Sequence, residues 1–122
     1  MHILLAEDSP VNQRLAQGLL QRQGHVVTIV SNGAEALSAL ATGQFDAVLM
    51  DVEMPEMDGL SATRLIREAE AQAGRRVPIV AVTTKDNAAD CLQAGMDAHL
   101  EKPLQAVPLS RVLARLFEKS AA

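Results

Sequence analysis

Ala47-Val48-Leu49-Met50-Asp51-Val52-Glu53-Met54-Pro55-Glu56-Met57-Asp58-Gly59 is the stretch on which the reading of this chain turns. The apolar run Ala47 to Met50 reads as a short buried strand, and it ends on a carboxylate. The chain then turns through a Pro and an Asp-Gly pair and enters a helical pattern at Leu60. Such a run has the propensity of a central strand of a parallel sheet, apolar on both faces. An acid on its last residue lies at the strand's carboxyl end, where open α/β sheets bind ligands. Asp51 therefore reads as a chemical group whose partners come from elsewhere in the chain.

Upstream, His2 to Ala6 is a short apolar run closed by Glu7-Asp8. Ser9-Pro10 then suits a helix start, with Ser as N-cap and Pro in the first turn. Val11, Leu15 and Leu19, with Ala16 and Leu20 beside them, give that helix an apolar face up to Gln23-Gly24. The β-branched run His25 to Val30 reads as a second strand. A second helix carries Ala36, Leu37 and Leu40 and stops near Gly43, and the third strand spans Phe45 to Met50. Downstream, Leu60 to Ala73 is a third helix with Ala62, Leu65, Ile66 and Ala69 inward, and Asp58 is its N-cap. Ile79 to Val82 is a fourth strand ending on Thr83-Thr84, followed by a short helix from about Asn87 to Ala94. Asp97 to Leu100 is a fifth strand ending on Glu101-Lys102-Pro103. The last helix carries Leu109, Val112, Leu113, Leu116 and Phe117. Strands alternating with helices predict an α/β, doubly wound five-stranded parallel sheet covered on both faces, with right-handed crossovers.

Bulk properties bound the function. The 122 residues make one domain, 1–122, large enough for a real core. The 48% hydrophobic and 21% charged fractions are those of a soluble globular protein. Aromatic residues are 2%, with no Trp or Tyr, which argues against stacking platforms for single-stranded nucleic acid. A net charge of -4 argues against a phosphate-neutralising nucleic-acid surface. No apolar run approaches the ~20 residues that span a bilayer, and no signal peptide is evident. The single Cys91 excludes an internal disulfide and reads as a small buried apolar residue. A cytoplasmic, monomeric protein without direct nucleic-acid or membrane contacts is the expectation.

In a parallel sheet all strand ends of one polarity share an edge. Glu7-Asp8, Asp51, Thr83 and Lys102 therefore converge there from distant positions. If the strand order is the flavodoxin-like 2-1-3-4-5, the first and third strands flank the switch-point crevice. Three carboxylates so close cannot all stay ionised without compensation. An all-oxygen site of this kind suits Mg²⁺ or Mn²⁺. Lys102 adds a second positive charge and Thr83 a hydroxyl donor. Such a site suits phosphoryl chemistry, with Asp51 as nucleophile.

These residues carry a family resemblance. Glu7-Asp8-Ser9-Pro10-Val11-Asn12-Gln13, Asp51 with Met54-Pro55-Glu56-Met57-Asp58-Gly59, Ala81-Val82-Thr83, Ala94-Gly95-Met96-Asp97 and Lys102-Pro103 resemble the response-regulator receiver (CheY-like) domain over essentially the whole chain. The Met-Pro-x-Met-Asp-Gly segment with Asn12-Gln13 is most similar to receivers of hybrid sensor histidine kinases. The resemblance implies that Asp51 accepts a phosphoryl group from a phosphohistidine on a histidine kinase or histidine phosphotransfer protein. It implies that Asp8, Asp51 and the backbone carbonyl of Glu53 hold the metal, with Glu7 acting through a bound water. Lys102 and Thr83 would contact the phosphoryl oxygens, and Lys102-Pro103 would be a cis peptide. Output would pass through the fourth helix, fifth strand and fifth helix. Glu53 and Lys85, two positions beyond Asp51 and Thr83, would border the path of hydrolytic water and pair across the mouth.

Two departures stand out. His99 replaces the Tyr or Phe that the fifth strand usually carries, and Thr83 to Gly95 is shorter than usual by about one helical turn. Other classes fit less well. A phosphohydrolase of haloacid-dehalogenase type would carry its nucleophile Asp on the first strand, with a second Asp two residues on. Here the residue two beyond Asp51 is Glu53, on a third strand. No Gly-x-Gly-x-x-Gly or Gly-Lys-Ser/Thr loop follows the first strand, against a nucleotide or flavin module. A degenerate receiver acting as a constitutive interaction module would need a broken site, and every site residue is present.

Overall fold

A computed structural model describes residues 1–84 and 87–121, with the backbone alone for 118–121. The described residues form β1 (His2–Ala6), α1 (Pro10–Arg22), β2 (Val26–Val30), α2 (Gly33–Thr42), β3 (Ala47–Asp51), α3 (Gly59–Ala73), β4 (Ile79–Thr83), α4 (Ala88–Ala94), β5 (Ala98–Glu101) and α5 (Ala106–Ala121). The strands make one parallel sheet in the order β2-β1-β3-β4-β5. The alternation predicts the doubly wound parallel sheet, and the strand order is the flavodoxin-like one on which the switch-point reading depends.

Side chains alternate across the sheet and feed two cores. Leu4, Ala6, Val48, Met50, Ile79 and Ala81 pack with Ala36, Ala62, Ile66 and Cys91 from α2, α3 and α4. Ile3, Leu5, Ala47, Leu49, Val80, Val82 and Leu100 pack with Ala16, Leu20, Leu109 and Leu113 from α1 and α5. A strand buried on both faces must be apolar at successive positions, which is why β3 and β4 carry no alternation of polarity.

Several expectations need correcting. Val11 and Leu15 are 67% and 56% exposed, and the buried stripe of α1 is Ala16 and Leu20. At 3.6 residues per turn Ala16 and Leu20 lie about 140° round the helix from Val11 and Leu15, and α1 turns the Ala16–Leu20 side to the sheet. Leu65 and Ala69 of α3 are also exposed, while Thr63 is buried and donates to the Gly59 carbonyl at 2.7 Å. The third strand starts at Ala47 rather than Phe45. Phe45 packs instead against the His2 ring in a tilted pair, centroids 4.5 Å apart, and Asp46 accepts from the His2 backbone N–H at 2.7 Å.

The fifth strand begins at Ala98, because Asp97 is taken up by a clasp at the opposite edge of the sheet. The Arg67 guanidinium on α3 donates to Asp97 Oδ2 (2.8 Å), the Gly95 carbonyl (2.9 Å) and the Val77 carbonyl (2.8 Å). Asp97 in turn accepts from the Ile79 backbone N–H at 2.9 Å. A charged group this shielded is stable only when most of its donors are satisfied. Arg67 meets that condition and ties α3 to the starts of β4 and β5.

Candidate functional site

The switch-point crevice opens between the carboxyl ends of β1 and β3. Glu7 follows β1 and is buried. Its backbone N–H donates to the Val30 carbonyl at 3.0 Å, and its own carbonyl accepts from the Gln13 side chain at 2.6 Å. Its Oε2 accepts from the Ser9 backbone N–H at 3.0 Å. Ser9 caps α1 by accepting from the Asn12 N–H, and Pro10 opens the helix as expected. Pinned on both sides, the Glu7-Asp8 corner leaves Asp8 exposed at the mouth.

Asp51 ends β3 and is 1% exposed. Its Oδ1 accepts from Lys102 Nζ at 2.8 Å and from the Glu53 backbone N–H at 3.1 Å. Its Oδ2 is buried with no hydrogen-bond partner among the described residues. Lys102 Nζ also lies 3.4 Å from Glu7 Oε1, so one ammonium serves two buried carboxylates. The Lys102 backbone N–H donates to the Thr83 carbonyl at 2.9 Å, which carries the β4 pairing past the end of β5. The Lys102–Pro103 peptide bond is cis.

Gly59 lets α3 begin directly against this strand end. A Cβ there would lie 2.3 Å from the Asp51 carbonyl oxygen, with backbone on both sides of the contact. Gly59→Ala is therefore expected to destabilise the fold by about 1–3 kcal/mol, measured by urea unfolding with an unchanged m-value. Its signal in the sequence is the Asp-Gly pair after the strand, which marks a turn without announcing this contact. Gln13, which holds the Glu7 carbonyl, had no stronger signal than its place in a motif.

Thr83 is fully buried at the end of β4, and its Oγ1 donates to Glu53 Oε1 at 2.6 Å. Thr84 adds its backbone N–H (3.2 Å) and hydroxyl (3.1 Å) to the same oxygen. The structure therefore groups Glu7, Asp8, Asp51 and Lys102 at the crevice and directs Thr83 to Glu53 beside it. His99 is half-buried on β5, in register with Ala81, and its Nε2 is buried without a partner among the described residues. Lys85, expected to pair with Glu53, lies outside the described residues.

Ionisation follows from this crowding. Burial pushes the Asp51 carboxyl up; Lys102 opposes that, Glu7 adds to it, and the result is about 7. Burial would also raise Glu7, but the Ser9 N–H, Asp51, Asp8 and Lys102 together lower it. Desolvation and the neighbouring Glu7 raise Asp8. Burial would lower Lys102, yet its two carboxylate partners hold it above the usual lysine range. Glu53 goes the other way: burial raises it, but the bonds from Thr83 and Thr84 bring it down to about 2.

Glu7, Asp8 and Asp51 each offer one carboxylate oxygen, and these oxygens lie within 4.8 Å of one another. An oxygen-only, anion-rich donor set that includes a buried oxygen lacking a partner fits a small hard divalent cation. Among the described residues, no helix is long and apolar enough to cross a membrane.

Comparison with known proteins agrees with this geometry. The family model of the response regulator receiver domain matches residues 3–114. The sensor histidine kinase GacS of Pseudomonas protegens is 43% identical over 115 residues, covering 91% of this chain and 12% of that protein. This chain spans 12% to 14% of the length of the curated kinases it matches first. The receiver domain of the sensor histidine kinase PA1611 from Pseudomonas aeruginosa PAO1 was solved with a magnesium ion coordinated in its active site cleft. It is 44% identical with a TM-score of 0.85, covering 94% of this chain and 95% of that one. A co-crystal structure joins the Saccharomyces cerevisiae histidine phosphotransfer protein Ypd1 to the receiver domain of its downstream response regulator Ssk1. Its matching chain gives a TM-score of 0.88 at 27% identity, over 95% of this chain and 88% of that one.

Proposed function

The chain belongs to the response regulator receiver domain family, and from that premise we propose that it takes a phosphoryl group from a phosphohistidine donor onto Asp51. The observation that carries this reading is the buried Asp51, whose Oδ1 is held by Lys102 while its Oδ2 has no partner among the described residues. One Asp51 oxygen attacks phosphorus, a P–O bond forms, and the donor's N–P bond breaks with its electron pair returning to the imidazole. Asp8, Asp51 and the backbone carbonyl of Glu53 would hold a divalent cation, with Glu7 acting through a bound water. Mg²⁺ there supplies charge stabilisation for the transferring group. Lys102 moves its ammonium from the carboxylate to a phosphoryl oxygen, and Thr83 donates its hydroxyl to another. The protein is a self-modifying acceptor rather than a turnover enzyme.

The donor reaches Asp51 past α1. Val11 and Leu15 project there as exposed apolar groups, and Leu15 lines the crevice with Asn12, Lys102, Pro103 and Leu104. Such a patch beside the acceptor suits docking of a partner helix face. Leu15→Arg is expected to slow transfer from a phosphohistidine protein by at least about tenfold while leaving uptake from a small phosphodonor unchanged. Equal loss with both donors would place Leu15 in the chemistry instead. Output runs through α4, β5 and α5, where Leu92 and Val107 are exposed.

The reading is tested by incubating the protein with acetyl phosphate and Mg²⁺ and following intact mass. It predicts gain of one phosphoryl group that a chelator prevents. No gain under these conditions would overturn it.

A further inference from the structure

Glu53 touches both halves of the proposed switch. Its backbone N–H donates to Asp51 Oδ1 at 3.1 Å, and its Oε1 accepts from the Thr83 hydroxyl at 2.6 Å. Thr84 donates to that oxygen twice more, so the carboxylate is held in one orientation. A hydroxyl carries one proton, and a bond from it to a carboxylate is a strong charge-assisted one. While Thr83 donates to Glu53, that proton is not available to an oxygen on Asp51.

We propose that Glu53 is a latch on Thr83: its carboxylate holds the hydroxyl in the resting orientation, and a phosphoryl group on Asp51 must win that proton from it. The inference rests on the reading of Asp51 as acceptor. It makes the Glu53 side chain a positioning group, acting through Thr83 rather than on the reacting atoms. The resting position of the switch is then set by the difference between two anionic acceptors competing for one donor. Three donors converge on Glu53 Oε1, the Thr83 hydroxyl and the backbone N–H and hydroxyl of Thr84, so the hydroxyl and its acceptor are already engaged at rest. The latch is therefore closed in the unmodified protein and opens only against a competing anion. Binding of such an anion is weakened by the fraction of molecules in which Thr83 stays latched.

The test uses beryllofluoride, an anion that mimics the phosphoryl group on a carboxylate, with Mg²⁺ and ¹⁹F NMR as the readout. Glu53→Ala is expected to bind it about tenfold more tightly than the wild type, with Glu53→Gln in between. Thr83→Ala should bind less tightly than the wild type. In the Thr83→Ala background, Glu53→Ala should change affinity less than about twofold, because no hydroxyl remains to release. A gain that persists in that background would mean that Glu53 merely repels the anion, and would overturn the latch. Equal binding by wild type, Glu53→Gln and Glu53→Ala would also overturn it while leaving the acceptor role of Asp51 standing. If the wild type itself binds no beryllofluoride with Mg²⁺, the acceptor reading fails and the latch fails with it. Glu53→Gln keeps the side chain's shape, so it supplies the comparison if Glu53→Ala does not fold.

Discussion

Lys102→Ala is expected to slow phosphoryl uptake from acetyl phosphate by about 10²- to 10³-fold, the size of effect seen when one preorganised donor is removed from a developing oxyanion. Lys102 Nζ lies 2.8 Å from Asp51 Oδ1 and 3.4 Å from Glu7 Oε1, so it already sits where phosphoryl oxygens would arrive. Its removal acts twice. The transferring group loses a positive charge held in a shielded crevice, and Asp51 loses the cation that counters burial and Glu7. The Asp51 carboxyl then moves further up, and the protonated form that predominates is a poor nucleophile. The two effects separate by pH: the second fades as pH rises, and the first does not. A variant within about twofold of wild type at every pH would make Lys102 a structural ion pair and nothing more.

The second large effect is that of the divalent cation, and its sign is set by Asp51. The folded protein holds this carboxyl near 7, whereas the unfolded chain releases the proton near the ordinary aspartate value. Between those values the folded state binds more protons than the unfolded one. Without a divalent cation, stability therefore falls as pH climbs from about 4 to about 7, then levels off. The depressed Glu7 and Glu53 act oppositely, but below that window, because they lose their stabilisation as pH falls toward their folded values. A cation held by ionised Asp8 and Asp51 reverses the loss, since it favours the deprotonated site. With Mg²⁺ at tenfold its Kd, binding contributes about 1.4 kcal/mol, or roughly 5 °C in Tm for a domain of this size. That shift is expected in full near pH 8 and mostly absent near pH 5.5, when followed by calorimetry. A chelator should abolish both the shift and phosphoryl uptake. A shift of the same size at both pH values would mean that the cation binds away from Asp51.

Much of this was legible in the chain because strand ends are. A strand buried on both faces is written as an unbroken apolar run, so a carboxylate, hydroxyl or amine on its last residue is conspicuous. Asp51 and Thr83 could be placed on one edge without coordinates for that reason, and Glu7-Asp8 likewise. Lys102, by contrast, follows the short, half-buried strand Ala98–Glu101 and was placed by the alternation of strands and helices. The less legible features are those in which a side chain has a choice of partner. Glu53 could have faced solvent, and it turns instead to Thr83 and Thr84. Thr83 was expected at the phosphoryl oxygens, and the resting structure gives its hydroxyl to Glu53. Val11 and Leu15 obey the helical period as well as Ala16 and Leu20 do. Which stripe is buried depends on how α1 crosses the sheet, and periodicity is silent on that. Asp97 had no chemical signal beyond its motif, because the Arg67 that engages it lies 30 residues away.

The claim on which the rest depends is that Asp51 becomes an acyl phosphate. Borohydride reduces an acyl phosphate of aspartate to homoserine, which marks the acceptor permanently and can be located by peptide mass spectrometry. After treatment with acetyl phosphate and Mg²⁺, the account predicts homoserine at position 51, absent when the metal is chelated. Homoserine at Asp8 or another acid, or at no position in a protein that has gained a phosphoryl group, would contradict it.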